Sequence, residues 1–277
     1  MLKTRVITAV VLLAVFLPVT LFAPVGAFGA LIAFVVVFAA WEWARLLKLG
    51  GAGPVIYALV AAVALVASTR FGVGLGVDGD GARPFYKAAA IFWVIAGPFV
   101  LLRKPTLAQG VWRNFLLLAG IVIFVACWHA LVAARVQGVS FVLSLLLLVW
   151  LADIGAYFSG KAFGKHKLAP AISPGKTWEG AIGGWVVVMI VAFAAVFLHA
   201  FEPTLYSELW AHWGAVRTLL VLTLLVAFSV VGDLFESMLK RQAGVKDSSG
   251  LLPGHGGVLD RIDALLPVLP LAMLLLG

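Results

Sequence analysis

Apolar runs, each closed by charged residues or by Gly and Pro, recur along the whole chain. Nine of them are candidate membrane spans: 6–23, 27–46, 54–69, 86–102, 114–134, 139–158, 179–200, 217–238 and 259–276. A spanning helix needs roughly 20 apolar residues, so the third and fourth runs are short. No soluble domain fits between the runs, and no internal repeat is visible. The pattern predicts an all-α polytopic integral membrane protein of about nine transmembrane helices, with backbone groups paired inside the helices. The first run, within MLKTRVITAVVLLAVFLPVTLF, has the charge order of a signal peptide. Its apolar stretch is too long for one and carries no clear A-x-A-like site, so it is read as a retained first span.

Composition agrees with the pattern. Of 277 residues, 64% are hydrophobic and 12% charged, which excludes an ordinary soluble domain. Mean hydropathy is +1.13. The net charge of +8 fits cytoplasmic loops and an anionic substrate better than nucleic acid. The lone cysteine, Cys127, lies in an apolar run, can form no internal disulfide and reads as packing.

Charge also orients the chain. With the N-terminus in the cytoplasm, only Arg70, Arg83, Lys87, Arg135 and Arg217 fall outside, and the other fifteen of the 20 Lys and Arg fall inside. This bias predicts N-inside, C-outside and an odd number of spans. Nine of the twelve acids lie between 151 and 263, and seven of them, all but Glu202 and Glu208, fall near the cytoplasmic ends of spans six to nine. Ionisable groups in a span are costly and usually functional. The chain therefore divides into N-terminal spans (1–135) and a C-terminal region carrying the chemistry (136–277).

Three segments carry candidate chemistry. In VVGDLFESMLKRQ, Asp233, Glu236, Ser237 and Lys240 are spaced to share one helical face. In LDRIDALLP, Asp260 and Asp263 share the first turn of span nine, where carboxylates also suit the helix dipole. Three aspartates from two helices could meet and hold Mg²⁺, which takes one or two carboxylates plus waters and substrate phosphates. The third segment is KAFGKHKLAPAISPGKTWEG, where Ser173, Lys176, Thr177 and Glu179 surround a Pro-Gly turn entering span seven. Thr177 is placed to cap that helix, and helix N-termini bind phosphate readily. Pro170 stands where a P-loop would need glycine. Asp153, inside the apolar span six near its inner end, is open between a polar helix contact, a group that orients a lysine and a cation site. Glu42 reads as an ion pair with Arg45 three residues on, and Trp41, Trp43, Trp112 and Trp128 as interfacial anchors.

The run Ser237-x-x-Lys240-Arg241-x4-Lys246-Asp247-x-Ser249-x2-Leu252-Pro253-x-His255-Gly256-Gly257-x-x-Asp260-Arg261-x-Asp263 resembles the signature of phosphatidate cytidylyltransferases, or CDP-diacylglycerol synthases. The segment Ser173-Pro174-Gly175-Lys176-Thr177-x-Glu179-Gly180 also resembles a family element. The resemblance implies transfer of CMP from CTP to phosphatidate with Mg²⁺, releasing pyrophosphate. It implies metal binding by Asp233, Asp260 and Asp263, with Ser237, Lys240, Lys246, Asp247 and His255 in the same polar cavity; within that cavity we assign the chemistry to Lys240, Asp260 and His255. Ser173, Lys176, Thr177, Ser237, Arg241, Lys246 and Asp247 are the expected substrate contacts. The expected setting is a bacterial inner membrane with the site facing the cytoplasm, no nucleic-acid partner and room for a homodimer. A CTP-dependent lipid-alcohol kinase and a cation-coupled transporter are the alternatives. Transport is disfavoured, because the acids cluster with basic residues at one surface rather than at the midplane.

Overall fold

The computed structural model describes residues 2–70 and 79–277, and the side chains of Lys3 and Arg70, counted above, lie outside that description. The described chain is almost wholly helical. In order it forms α1 (Leu2–Phe22), α2 (Val25–Leu46), α3 (Gly53–Arg70), α4 (Gly79–Ile91), a π-helical turn (Phe92–Ala96), α5 (Gly97–Arg103), α6 (Gly110–Gln137) and α7 (Val139–Phe163). A hairpin of β1 (Lys167–Ala169) and β2 (Ser173–Thr177) follows. It leads to α8 (Trp178–Phe197), α9 (Leu205–Ala243), α10 (Leu259–Ile262) and α11 (Leu265–Leu276).

Among the described residues, seven helical stretches are long and apolar enough to cross a membrane, and Gly53–Thr69 is a shorter apolar helix. Large apolar side chains such as Val10, Leu59, Val63 and Ile190 stand more than half exposed on their outer faces. Lipid is the solvent that such a surface requires.

Two predicted elements and one pair of side chains come out differently. The ninth span is not one helix from residue 259: a single turn, α10, is separated from α11 at Asp263 and Ala264. The eighth is longer than its apolar run. α9 extends to Ala243 and is divided near its start by Gly214, whose φ of 67° breaks the helical path. Lys240 and Arg241 therefore remain helical, and Gly244 closes the helix in the left-handed conformation (φ 80°). Trp43 and Trp128 are not interfacial anchors. Both are buried, and their indole N–H groups donate across helices to the carbonyls of Leu116 (3.1 Å) and Gly29 (2.8 Å). An indole can leave water when its N–H finds an acceptor.

Two close helix contacts place the site. α7 and α8 form the most extensive helix pair, through facing glycines: a Cβ on Gly155 would lie 2.9 Å from the Gly184 Cα. Small residues let membrane helices approach backbone to backbone, where lipid offers no hydrophobic drive between them. α9 meets α11 the same way at Gly232, where a Cβ would overlap the Asp263 carbonyl oxygen and lie 2.8 Å from Pro267 Cδ. On another side of α9, Phe235 is fully buried between Trp43 of α2, ring centroids 5.9 Å apart and stacked, and Phe92 and Trp93 of the π turn. α9 is thus wedged between α2 and α11, with the acidic row from Asp233 to Lys240 along it.

Gly232→Ala is expected to destabilise the protein by about 1–3 kcal/mol through overpacking. A lowered thermal midpoint in detergent checks this, with Gly26→Ala as control, since a Cβ there meets nothing within 4 Å.

Candidate active site

The polar residues of the C-terminal half gather in two adjoining groups along α9. The first lines a cavity of about 490 Å³ bounded by α7, β2, α8 and α9. Asp153 comes from α7, Ser173 and Lys176 from β2, and Ser229 and Asp233 from α9. The β-hairpin carries Lys176 over the cavity, with Lys167 paired to Thr177 and Ala169 to Ser173. Thr177 caps α8 as its position predicts: its hydroxyl accepts from the Gly180 N–H at 3.1 Å. That bond and its burial make Thr177 a part of the wall. Glu179 pins the hairpin's entry, accepting from the Lys165 N–H (3.1 Å) and from His166 Nδ1 (2.6 Å). Inside the cavity the Lys176 ammonium sits 2.6 Å from Asp233, and Ser237 donates to the other Asp233 oxygen at 3.1 Å. Asp153 is close enough to feel both Lys176 and Asp233.

The second group lies one to two turns further along the same face of α9. Lys240 is held between two carboxylates, Glu236 on its own helix and Asp260 of α10, the latter at 2.6 Å. The pair is nearly dry, with the Asp260 side chain 4% exposed and that of Glu236 1% exposed. The second Asp260 oxygen accepts from the Ser248 N–H (2.8 Å), the Ser248 hydroxyl (2.9 Å) and the Gly257 N–H (2.8 Å). Asp263 bridges the two groups, lying within electrostatic range of Asp233 and Glu236 and accepting from the Ala264 N–H at 2.7 Å.

The three aspartates are therefore neighbours, but they do not form the single ligand set that their spacing predicts. Among the described residues no three His, Cys, Asp or Glu side chains are arranged to hold a metal ion. The physical reason is that lysines compete for the same oxygens: Lys176 takes Asp233 and Lys240 takes Asp260. The donor chemistry nonetheless suits a hard cation. Asp233 lines an open cavity and Asp263 lies beside it, and carboxylates in that number suffice for Mg²⁺ when substrate phosphates complete its shell.

Other expected contacts sit further out. Arg241 donates to the Ile172 carbonyl at 3.4 Å and so ties α9 to the hairpin. Lys246 and Asp247 are exposed on the loop after α9. His255, half-buried in that loop, has a buried Nδ1 with no hydrogen-bond partner.

One acid of the site is missed altogether by the sequence reading. Glu42 of α2 makes no pair with Arg45, which instead lies over the Trp41 ring at 4.6 Å. Glu42 is fully buried and accepts from four groups of the loop and α10: the Ser248 and Ser249 hydroxyls and the N–H groups of Val258 (3.0 Å) and Leu259 (2.6 Å). The signal was present in the chain, since an acid inside the apolar run 27–46 is costly unless it is used.

Fold and site together define a polytopic membrane protein with a lysine–carboxylate centre at the ends of its C-terminal helices. The chain belongs to the cytidylyltransferase family, whose model matches residues 3–277. It is 42% identical to a phosphatidate cytidylyltransferase of Pseudomonas aeruginosa over 100% of this chain and 97% of that protein. It is 37% identical to the enzyme of the same name from Haemophilus influenzae, over 98% and 96%. A Staphylococcus haemolyticus phosphatidate cytidylyltransferase is 46% identical over 52% of each chain.

Removing Lys240 leaves Glu236 and Asp260 buried without their cation. Breaking such a pair costs about 3–5 kcal/mol. Lys240→Met is therefore expected to lower the unfolding midpoint in detergent far more than Lys246→Met, whose side chain is exposed.

Proposed function

We propose that this protein transfers the CMP moiety of CTP to phosphatidate, giving CDP-diacylglycerol and pyrophosphate. A phosphate oxygen of the lipid forms a bond to the α-phosphorus of CTP, and the bond from that phosphorus to the pyrophosphate oxygen breaks. The nucleophile is an anion already, so no strong general base is required. The obstacle is repulsion between two polyanions, which positive groups fixed in a partly dry site relieve. The observation that carries this reading is the cavity in which Lys176 faces Asp233, in a chain matched over its full length by the family.

Lys176 is the primary phosphate contact, with Ser173 offering a hydroxyl from the wall. Asp233 and Asp263 are the residues that would hold Mg²⁺. When bound, that ion neutralises triphosphate charge and supports the leaving pyrophosphate. Lys240 and Asp260 keep α9 and α10 in register beneath the phosphates.

The lipid approaches from the other side of α10. An apolar groove of about 290 Å³ runs between α1, α2, α6 and α11, lined by residues such as Phe16, Ile32, Leu131 and Leu266. Its charged lining residue is Arg261, which is also close enough to feel Asp153 of the polar cavity. An acyl chain in the groove would bring its headgroup to Arg261 and so to the cavity.

The site faces the cytoplasm, in nine spans with the N-terminus inside. The Lys and Arg bias supports this orientation. So does Thr8 near the start of α1, which donates to the Pro253 carbonyl of the site loop at 2.8 Å. A bacterial inner membrane is the setting that fits.

CTP carrying label at either the α- or the γ-phosphate tests the reaction in vesicles containing phosphatidate. The α label is expected in lipid and the γ label in pyrophosphate. Transfer of the γ label to lipid would mean a kinase, and no turnover would favour a transporter. Asp260→Asn is expected to lower turnover by about 100-fold or more, as loss of a charge-positioning group does. Parental turnover in Asp260→Asn at ordinary Mg²⁺ would remove this site from the reaction.

A further inference from the structure

The loop between α9 and α10, residues 244–258, brings Ser248 and Gly257 to Asp260, yet it contains no regular element. Its inner bonds are few: the Leu252 N–H donates to the Gly256 carbonyl at 2.8 Å and the His255 N–H to the Leu252 carbonyl at 2.8 Å. Gly256 holds a left-handed conformation (φ 81°), and a Cβ there would lie 2.7 Å from Asp260 Oδ2. A segment so short of internal contacts needs an external template to keep one shape.

Glu42 is the group placed to provide it. Its Oε1 accepts from the Ser249 hydroxyl and the Val258 N–H, and its Oε2 from the Ser248 hydroxyl and the Leu259 N–H. A carboxylate has about four acceptor positions, so every one is used. The partners lie 206 to 217 residues away in the chain, at both ends of the loop's active stretch. Gly257 is required for the fit, since a Cβ there would overlap both Glu42 and the Ser248 hydroxyl. The Ser248 hydroxyl has one proton and two carboxylates to serve, Glu42 at 3.1 Å and Asp260 at 2.9 Å, which links the two acids through a single side chain. The template itself is rigid: next to Glu42, Trp43 is buried, stacked on Phe235 and bonded to the Leu116 carbonyl.

We propose that Glu42 is a positioning residue for the reaction, a carboxylate in the N-terminal half that moulds the 248–259 loop and thereby fixes Asp260 against Lys240. It has no free lone pair and no exposed surface, so it acts on substrate only through the loop. The proposal rests on the cytidylyl-transfer reading for its kinetic arm but not for its structural arm.

The experiment compares the parent with Glu42→Gln, with hydrogen exchange and steady-state kinetics on the detergent-solubilised full chain. A glutamine retains one acceptor oxygen and turns an NH₂ toward donors. The Val258 and Leu259 amides are expected to exchange at least about tenfold faster as the loop opens locally. Exchange in α6 and α7 is expected to stay at parental rates. The kcat is expected to fall about 10- to 100-fold, the size of effect that a small misplacement of a site produces. KM for CTP should stay within about threefold, because no substrate contact is lost. Parental kcat in Glu42→Gln overturns the proposal, and so does a reduced kcat with the loop amides still protected. Faster loop exchange without CMP transfer in the parent itself would leave the template intact and refute the reaction instead. Should Glu42→Gln not accumulate, Ser249→Ala takes its place, with the same split of kcat from KM at about three- to tenfold. Parental exchange and kcat in Ser249→Ala overturn the proposal equally.

Discussion

Lys240, held between Glu236 and Asp260, is the interaction on which the rest of the site depends. It joins α9 to α10 with charge rather than with apolar contact. Three ionisable groups are kept almost dry there, and each would be unfavourable alone. Together, with Asp260 further bonded to Ser248 and Gly257, they hold α10 and its loop in one arrangement in which Lys240 serves both carboxylates, while the second Glu236 oxygen is left without a hydrogen-bond partner. Lipid offers helices little reason to prefer one neighbour over another, so polar contacts and close glycine packing choose the register. Gly232 against Asp263 and Lys240 against Asp260 are the two ends of that choice.

From this contact the functional parts spread in two directions. Up the face of α9, Asp233 and Lys176 border the open cavity bounded by α7, β2, α8 and α9. Past α10, Arg261 stands at the apolar groove, where a lipid tail can lie. The short α10 segment separates the two, which is the geometry a reaction between a soluble and a membrane-bound phosphate demands. Charge is distributed to match: the half-buried Lys176–Asp233 pair borders the cavity, while the Lys240–Asp260 pair is nearly dry.

Much of this was legible in the chain. The apolar runs foretold the helices, because a span must be long and continuous to satisfy its backbone. The i, i+3, i+4, i+7 spacing placed Asp233, Glu236, Ser237 and Lys240 on one face, and Thr177 caps α8 as its residue type suggests. Other features escaped for physical reasons. Ser-Pro-Gly-Lys-Thr has no alternating pattern, so β2 reads as loop. The break at Asp263 and Ala264 has only one mark in an apolar run that continues to residue 276: Pro267 has no N–H to give the Asp263 carbonyl. Trp43 near a span end suits either an interface or a core, and only packing against Phe235 decides. Glu42 was assigned to Arg45 because three residues is a short distance along a helix. Its true partners are more than 200 residues away, and local spacing carries no trace of them.

A double-mutant cycle between Lys240→Met and Asp260→Asn, read as unfolding free energy by denaturant titration in detergent, tests the central contact most directly. If the Lys240–Asp260 pair ties α9 to α10, the two changes together should cost less than their sum, by about 1 kcal/mol or more. Losses that simply add would mean that the two side chains act independently, and the linkage described here would be wrong.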